Sequence, residues 1–207
     1  MLQFVTVALR NMKTVGTVCP SSPALARALS KGLRAAKGPK RVLEVGPGTG
    51  PVTREILRSM HRGDEFDLVE LSPVFSRDLE RKILVPWRER HPGVRVTLHQ
   101  GAVQDVPLQR DSYDFVICGL PFNNFDKALV ELIMGRLMDL LKPAGQFSYF
   151  GYAGAKAVKS TVADRDGRAN LRAIARFESD LRARHGGVRQ IVLPNLPPAE
   201  VHRLTKR

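Results

Sequence analysis

The sequence has very few cysteines, and this scarcity excludes several kinds of protein. Of its 207 residues only Cys19 and Cys118 are cysteines, and neither has a second cysteine or a histidine cluster at metal-ligand spacing. A disulfide scaffold and a zinc site are therefore not indicated, and we expect no metal. Two isolated thiols fit the reducing conditions of the cytoplasm.

Long apolar runs are absent as well. No stretch reaches the ~18 apolar residues that a membrane-spanning helix needs. The apolar segment of residues 2–9 is followed by Arg10 and Lys13, whereas a secretory signal has its basic residues first. We therefore expect a protein that is neither exported nor embedded in a bilayer.

Acidic residues are missing from the start of the chain. No Asp or Glu precedes Glu44, whereas eight Lys and Arg residues do. From Lys156 onward twelve Lys and Arg residues stand against five acidic ones, so the excess of the +13 formal charge lies on the two flanks. This asymmetry predicts an anionic partner, either a membrane surface or a nucleic acid. Charge that only keeps the protein soluble is the alternative.

Apolar periodicity predicts strands that alternate with helices. The 43% of hydrophobic and 26% of charged residues are typical of a folded globular protein. The predicted strands are residues 41–46, 66–70, 95–99, 113–118 and 146–150, with a closing strand pair over 188–193 and 201–204. The predicted helices are residues 51–60, 73–83, 125–141 and 167–183. Such alternation predicts a parallel sheet with both faces covered.

Two further helices are predicted before the first strand. Residues 1–12 have apolar residues at helical spacing, and Ser22-Pro23 is a typical helix start, with Ser as the cap and Pro in the first turn. Leu25, Leu29 and Leu33 follow at four-residue spacing. This second helix either packs its leucines on the core or lays them on a membrane.

A glycine-rich loop follows the first predicted strand, in the segment Glu44-Val45-Gly46-Pro47-Gly48-Thr49-Gly50. Glycines allow a tight turn and a close approach to a ligand. A dinucleotide fingerprint would have its third glycine where Pro51 stands, and the Gly-Lys-Ser/Thr ending of a phosphate loop is missing. Glu70 ends the second strand, where a carboxylate can bind both hydroxyls of a ribose, although a surface acid is the alternative. A nucleoside pocket without a pyrophosphate favours S-adenosylmethionine over NAD.

Residues 43–50 resemble the first motif of class I S-adenosylmethionine-dependent methyltransferases. Other segments resemble the bacterial phospholipid N-methyltransferase family. Ornithine-lipid N-methyltransferases are similar to this family. These segments are Thr14-Val15-Gly16-Thr17-Val18, Pro20-Ser21-Ser22, Gly119-Leu120-Pro121, Gln146-Phe147-Ser148-Tyr149 and Asn195-Leu196-Pro197-Pro198-Ala199. The resemblance implies a Rossmann-like α/β fold with a seven-stranded, mostly parallel sheet, helices on both faces and an antiparallel C-terminal strand. It also implies a catalytic domain over 41–207, preceded by a helical extension over 1–40 that docks on membrane or substrate and acts as a lid.

The resemblance also implies the site residues. The cofactor S-adenosylmethionine, with S-adenosylhomocysteine as product, would be bound by Glu44, Gly46, Pro47, Gly48, Thr49, Gly50, Glu70, Leu71, Ala102, Val103 and Gly119. Many relatives carry an acid where this chain has Ala102, so backbone groups or Asp105 are expected to replace it. The substrate would be bound by Ser21, Ser22, Leu120, Pro121 and Phe122, with Asn123, Tyr149 and Tyr152 as catalytic residues.

The residue at position 119 bears on the substrate. Adenine methyltransferases carry Asn or Asp there, before x-Pro and an aromatic residue, because the exocyclic amine of adenine is a weak nucleophile. An aliphatic amine needs desolvation and alignment instead, so Gly119 favours a lipid amine. Tyr149 and Tyr152 could bind that amine or its phosphate, and Asn123 or Asn124 could accept a hydrogen bond. Packing is the alternative for each.

Three functions are compatible with these patterns. The first is a lipid N-methyltransferase, acting on phosphatidylethanolamine or ornithine lipid, that binds peripherally to the anionic inner face of the membrane. The second is an adenine N-methyltransferase of rRNA or another nucleic acid, which Gly119 disfavours. The third is a non-catalytic protein that keeps the cofactor fold for binding, against which the intact glycine loop and Glu70 argue.

Overall fold

The computed structural model describes residues 21–152 and 165–207. The predicted helix over 1–12, and the parts of the family resemblance carried by residues 14–18 and 20, lie outside these ranges. All other predicted elements fall within the described part of the chain.

The described residues form one seven-stranded sheet. Its strands are β1 (Arg41–Val45), β2 (Glu65–Glu70), β3 (Arg95–Gln100), β4 (Tyr113–Cys118), β5 (Leu141–Tyr152), β6 (Gly187–Val192) and β7 (Ala199–Thr205). They are ordered β3-β2-β1-β4-β5-β7-β6. The first five strands pair in parallel, and β7 is antiparallel to both β5 and β6. This architecture confirms the predicted Rossmann-like fold with an antiparallel C-terminal strand.

Seven α-helices lie within the described ranges. They are α1 (Pro23–Leu29), α2 (Lys31–Ala35), α3 (Pro51–Leu57), α4 (Pro73–Leu79), α5 (Val85–Arg90), α6 (Lys127–Leu140) and α7 (Arg165–His185). A π-helical turn over Glu80–Leu84 joins α4 to α5. Ser22 and Ser72 cap α1 and α4, each followed by a proline whose fixed φ suits the first helical turn.

The helices cover the sheet from both sides and divide the core in two. On one face, α6 and α7 pack against the apolar side chains of β1, β4 and β5. On the other face, Leu25, Leu29 and Leu33 of α1 and α2 are each only 1% exposed and pack with α3, β6 and β7. The leucines of α1 and α2 therefore face the core, as the first of the two alternatives for this helix predicted.

The carboxyl ends of β1 to β5 lie along one edge of the sheet, where α/β proteins bind their ligands. The antiparallel strand β7 begins at this same edge, because Ala199 pairs with both Tyr152 of β5 and Val192 of β6. The turn between β6 and β7 is therefore on the ligand-binding side. No helix among the described residues is both long enough and apolar enough to cross a membrane.

Candidate functional site

The glycine loop leaves β1 with a left-handed backbone. Gly46, Gly48 and Gly50 have φ values of +71°, +56° and +85°, a region that disfavours residues with a Cβ atom. A Cβ on Gly46 would lie 2.6 Å from Cδ2 of Leu120, whereas one on Gly48 would meet no atom within 4 Å. The space beside Gly48 is thus open, and the loop leads directly into α3.

Glu70 connects this loop to the end of β2. Its carboxylate is buried and accepts hydrogen bonds from the backbone N–H of Gly48 at 3.0 Å and of Ser72 at 2.8 Å. Each oxygen keeps a second lone pair that a ribose hydroxyl can use. Glu70 therefore fixes the loop and also presents acceptors at the strand end where the nucleoside is predicted to bind.

Glu44 lies beneath the loop, with 1% of its surface exposed. Burial raises the pKa of its carboxyl to about 8, a hydrogen bond from Thr53 opposes this rise, and the nearby Glu70 adds to it. The Thr53 hydroxyl donates to Oε2 of Glu44 at 2.7 Å. Glu44 is therefore protonated at neutral pH. Its predicted contact with the methionine part of the cofactor stays a prediction. Sequence reasoning missed Thr53, whose place in the first turn of α3 was the available signal.

Gly119 brings the loops after β1 and β4 into backbone contact. Its N–H donates to the carbonyl of Val45 at 2.8 Å. A Cβ at this position would lie 2.7 Å from the carbonyl oxygen of Gly46. Glycine is thus required here for close packing, whatever the substrate. This contact is a second reason for Gly119, independent of the choice between adenine and a lipid amine.

The segment after Gly119 forms the wall of the site beside β5. It contains a short 3₁₀ turn over Phe122–Asn124, in which Phe122 is buried and packs edge-on against Phe125 and Tyr149. The amide nitrogen of Asn123 lies 3.8 Å from where a Cβ on Gly151 would be. The structure thereby brings Asn123 to the end of β5, which closes with the half-buried Tyr152.

Tyr149 has no exposed surface. Its ring stacks on His202 at 4.9 Å and on Phe147 at 5.1 Å between ring centroids. Burial raises the pKa of its phenol above the usual range, Glu178 adds to this rise, and Arg182 opposes it. Its hydroxyl makes no hydrogen bond of ordinary geometry in the described part of the chain, although the Arg182 side chain lies near enough to lower its pKa. A contact between the buried Tyr149 and a substrate stays a prediction.

The remaining predicted residues lie around the same edge. Gly101 donates its N–H to the carbonyl of Glu70 at 3.0 Å, which brings the end of β3 beside the ribose acceptor. Next to it Ala102 is half-buried and Val103 is buried in the core, while Asp105 is exposed. Ser22 donates its N–H to Oδ1 of Asn195 at 3.0 Å and caps α1. The other residues of the predicted site, half-buried Ser21 and Leu71, buried Pro47 and Pro121, and exposed Thr49, flank these positions.

The fold and the site together define a Rossmann-like protein with a nucleoside pocket at the carboxyl edge of its sheet. Residues 42–145 match the methyltransferase domain family. The chain belongs to this family, and its cofactor is S-adenosylmethionine.

Curated relatives differ in what they methylate. The chain is 30% identical over 140 residues to the ornithine lipid N-methyltransferase of Singulisphaera acidiphila, a match that covers 65% of this chain and 68% of that protein. It is 33% identical over 110 residues to ribosomal RNA small subunit methyltransferase A of Parasynechococcus marenigrum, covering 51% of this chain but 33% of that protein.

Among solved structures, an O-methyltransferase from Bacillus cereus in complex with SAH superposes with a TM-score of 0.63. It is 16% identical and covers 99% of this chain and 89% of its own. This likeness concerns the fold.

The residues at the site fit the cofactor. The open space beside Gly48 admits a ligand against the backbone, which a Cβ there would obstruct. The carboxylate of Glu70 offers unused lone pairs for ribose hydroxyls, and the adjoining ends of β2 and β3 provide a surface for the adenine. This geometry is compatible with the predicted position of the nucleoside between Gly48, Glu70 and Ala102, which stays a prediction.

Proposed function

We propose that the chain methylates the amino head group of a membrane lipid, either phosphatidylethanolamine and its methylated forms or ornithine lipid. The observation that carries this proposal is the match to an ornithine lipid N-methyltransferase, which spans about two thirds of both chains. The match to the rRNA enzyme spans a third of that relative. The net positive flanks, with +13 overall, suit an anionic bilayer.

The cofactor supplies an electrophilic methyl group on a sulfonium, so the chain has to hold a neutral amine in line with it. A primary ammonium with a pKa of ~10 must first lose a proton. Tyr149 is unsuited to take it as phenolate, because burial raises its pKa and keeps the phenol neutral. We infer that the proton passes to water at the open edge of the site.

The amine would be bound where the loop after β4 meets the end of β5. Asn123 and Tyr152 lie there with oxygen atoms that can accept hydrogen bonds from an ammonium or amine. Leu120, Pro121 and Phe122 provide an apolar wall that excludes water from the amine and so favours its neutral form. These residues position and desolvate the nucleophile, which is most of what an aliphatic amine requires.

The test uses the purified full chain and cofactor labelled in the methyl group. Vesicles of phosphatidylethanolamine, of ornithine lipid and of phosphatidylcholine are offered separately, with Glu70→Gln as an inactive control. We expect label in one of the two amino lipids and none in phosphatidylcholine, which has no free position on its nitrogen. If both amino lipids stay unlabelled while the chain binds cofactor, the proposal fails.

A second function, methylation of adenine in rRNA, is favoured by the identity to the rRNA enzyme and by the sequence Leu120-Pro121-Phe122. Against it stands the glycine at position 119, because adenine enzymes carry Asn or Asp there. Small ribosomal subunits in the same assay decide between the two. Label in rRNA but not in lipid would replace the lipid proposal.

A further inference from the structure

The turn between β6 and β7 exposes two leucines at the ligand-binding edge of the sheet. We name residues 193–198 the leucine turn. Leu193 is 72% exposed and Leu196 is 80% exposed, the two highest values among the large apolar side chains of the described residues. Two exposed leucines within one short turn indicate an interaction surface more than single ones far apart would.

The leucine turn is held in shape from within. Asn195 is 3% exposed and accepts a hydrogen bond from the N–H of Ser22 at 3.0 Å. Its side-chain nitrogen donates to the carbonyl of Pro197 at 2.8 Å. A buried polar residue thus anchors the turn to the start of α1, and the two leucines point outward from a fixed support.

The leucine turn lies close to the end of β5, where the substrate amine is proposed to bind. Ala199 pairs with Tyr152, so the turn follows the same edge as the end of β5. It joins β7, the direct neighbour of β5, to β6, the next strand along, so it lies roughly 5–10 Å from β5 at the usual spacing between neighbouring strands. A lipid whose head group reaches Tyr152 would keep its acyl chains in a bilayer at about this distance.

The charge of the chain favours an anionic partner for the turn. The net charge is +13 over 207 residues. Glu200, the acid next to the turn, pairs with Arg189, so its negative charge is compensated. A negatively charged surface is therefore attracted to the chain as a whole and meets no unpaired carboxylate at Glu200.

We propose that the leucine turn inserts Leu193 and Leu196 into an anionic bilayer, to which the net charge of +13 attracts the chain. This inference rests on the proposed lipid substrate and adds a second docking element to the amino-terminal region. A second copy of the chain fits the same surface less well than an anionic bilayer, because each copy has the same net charge of +13.

Binding is measured by vesicle flotation of the full chain, without cofactor, on mixtures of phosphatidylcholine and phosphatidylglycerol. These vesicles contain no primary amine, so binding and methyl transfer are tested separately. Leu193→Ser with Leu196→Ser should weaken binding about tenfold or more, since each leucine loses its burial in the bilayer. The matched control, Val85→Ser with Leu132→Ser, removes two exposed aliphatic side chains elsewhere and should bind like the unaltered chain.

A change of salt and one more variant separate the charged and the apolar contributions. Raising the ionic strength should weaken binding to anionic vesicles and leave binding to pure phosphatidylcholine unchanged. Leu196→Trp in a Trp87→Phe background places a single fluorophore in the turn, whose emission should shift to the blue and be quenched by brominated lipids.

Several outcomes would overturn the inference. One is equal binding by the leucine variant and its control, and another is indole fluorescence of the Leu196→Trp variant that does not respond to the vesicles. A third is a dimer of the unaltered chain that the leucine variant converts to a monomer, because a second copy would then occupy the turn. Methyl transfer to detergent-dispersed lipid by the leucine variant, together with lost vesicle binding, would support the inference. Vesicle binding by a chain that methylates no lipid would contradict only the proposed substrate.

Discussion

The two halves of the ligand-binding edge are built in different ways. In the cofactor half, which comprises the glycine loop, Glu70 and Ser72, backbone N–H groups bind a buried carboxylate directly. In the substrate half, which comprises residues 119–124, Tyr149, Tyr152 and the leucine turn, aromatic rings pack on each other and two leucines face outward. The cofactor half thus depends on fixed polar geometry, whereas the substrate half depends on apolar surface.

This difference matches the cofactor and the proposed lipid substrate. A nucleoside has hydroxyls and ring nitrogens that need acceptors and donors at set positions, whereas a lipid amine needs mainly exclusion of water and access from a bilayer. Changes in the cofactor half should therefore act on affinity for the cofactor. Changes in the substrate half should leave this affinity intact and alter binding to lipid or stability.

The largest effect is expected for Glu70→Gln. The amide presents one acceptor instead of two and turns an NH₂ group toward an N–H, so we expect cofactor affinity to fall about 100-fold, as losing a hydrogen bond to a charged group implies. Isothermal titration measures this change. The control is Glu65→Gln at the other end of β2, where the carboxylate pairs with Arg41 and Arg95. An equal loss in both variants would show that β2 itself, and not the acceptor, was disturbed.

A pair of glycine variants separates packing from ligand space. Gly119→Ala should lower the free energy of unfolding by about 1–3 kcal/mol, because its Cβ would lie 2.7 Å from the Gly46 carbonyl oxygen. Gly48→Ala meets no protein atom and should act mainly on the cofactor, with strain of about 1–2 kcal/mol from its φ of +56°. Thermal unfolding with and without cofactor tests both. If cofactor raises the melting temperature of Gly48→Ala as it does that of the unaltered chain, Gly48 does not face the ligand.

The sequence was sufficient to predict the sheet and the cofactor, whereas the predicted cofactor-binding residues stay predictions. Alternating apolar strands and helix signals such as Ser22-Pro23 depend on local patterns, and they predicted the central strands and the closing pair. The 2.7 Å contact at Gly119 and the partner of Glu44 could not be predicted in this way. They depend on how residues from different parts of the chain approach each other. The sequence around Gly119 does not indicate a contact with Gly46, and the sequence around Thr53 does not indicate a bond to Glu44.

A smaller, pH-dependent effect is expected at Glu44. Its carboxyl has a pKa of about 8 in the fold, above the ordinary 4.5, so the folded chain holds a proton that the unfolded chain releases between these values. Stability should therefore fall as the pH rises from about 4.5 to about 8, by about 1.4 kcal/mol per pH unit at most. Glu44→Gln keeps the acceptor for Thr53 and removes the titration.

Urea unfolding at several pH values measures this difference. The free energy of unfolding of Glu44→Gln should change less with pH than that of the unaltered chain, and the gap should widen toward pH 8. Thr53→Ala serves as the matched variant, because it removes the hydrogen bond but keeps the titrating group. Parallel pH profiles for Glu44→Gln and the unaltered chain would show that Glu44 is ionised in the fold.

The smallest effect is expected for Tyr149→Phe, which tests the substrate half. A buried hydroxyl without a hydrogen bond of ordinary geometry among the described residues is unfavourable, so its removal should leave the free energy of unfolding equal or raise it by about 1 kcal/mol. If Tyr149 serves to support Phe122, the lipid kcat/KM stays within about twofold and its pH profile is unchanged. If Tyr149 binds the amine, kcat/KM falls by about tenfold or more while the protein remains stable.

Tyr152→Phe is the matched control, because its half-buried side chain lies at the end of the same strand. A loss confined to Tyr152→Phe would locate the amine at the strand end and leave Tyr149 a purely structural role.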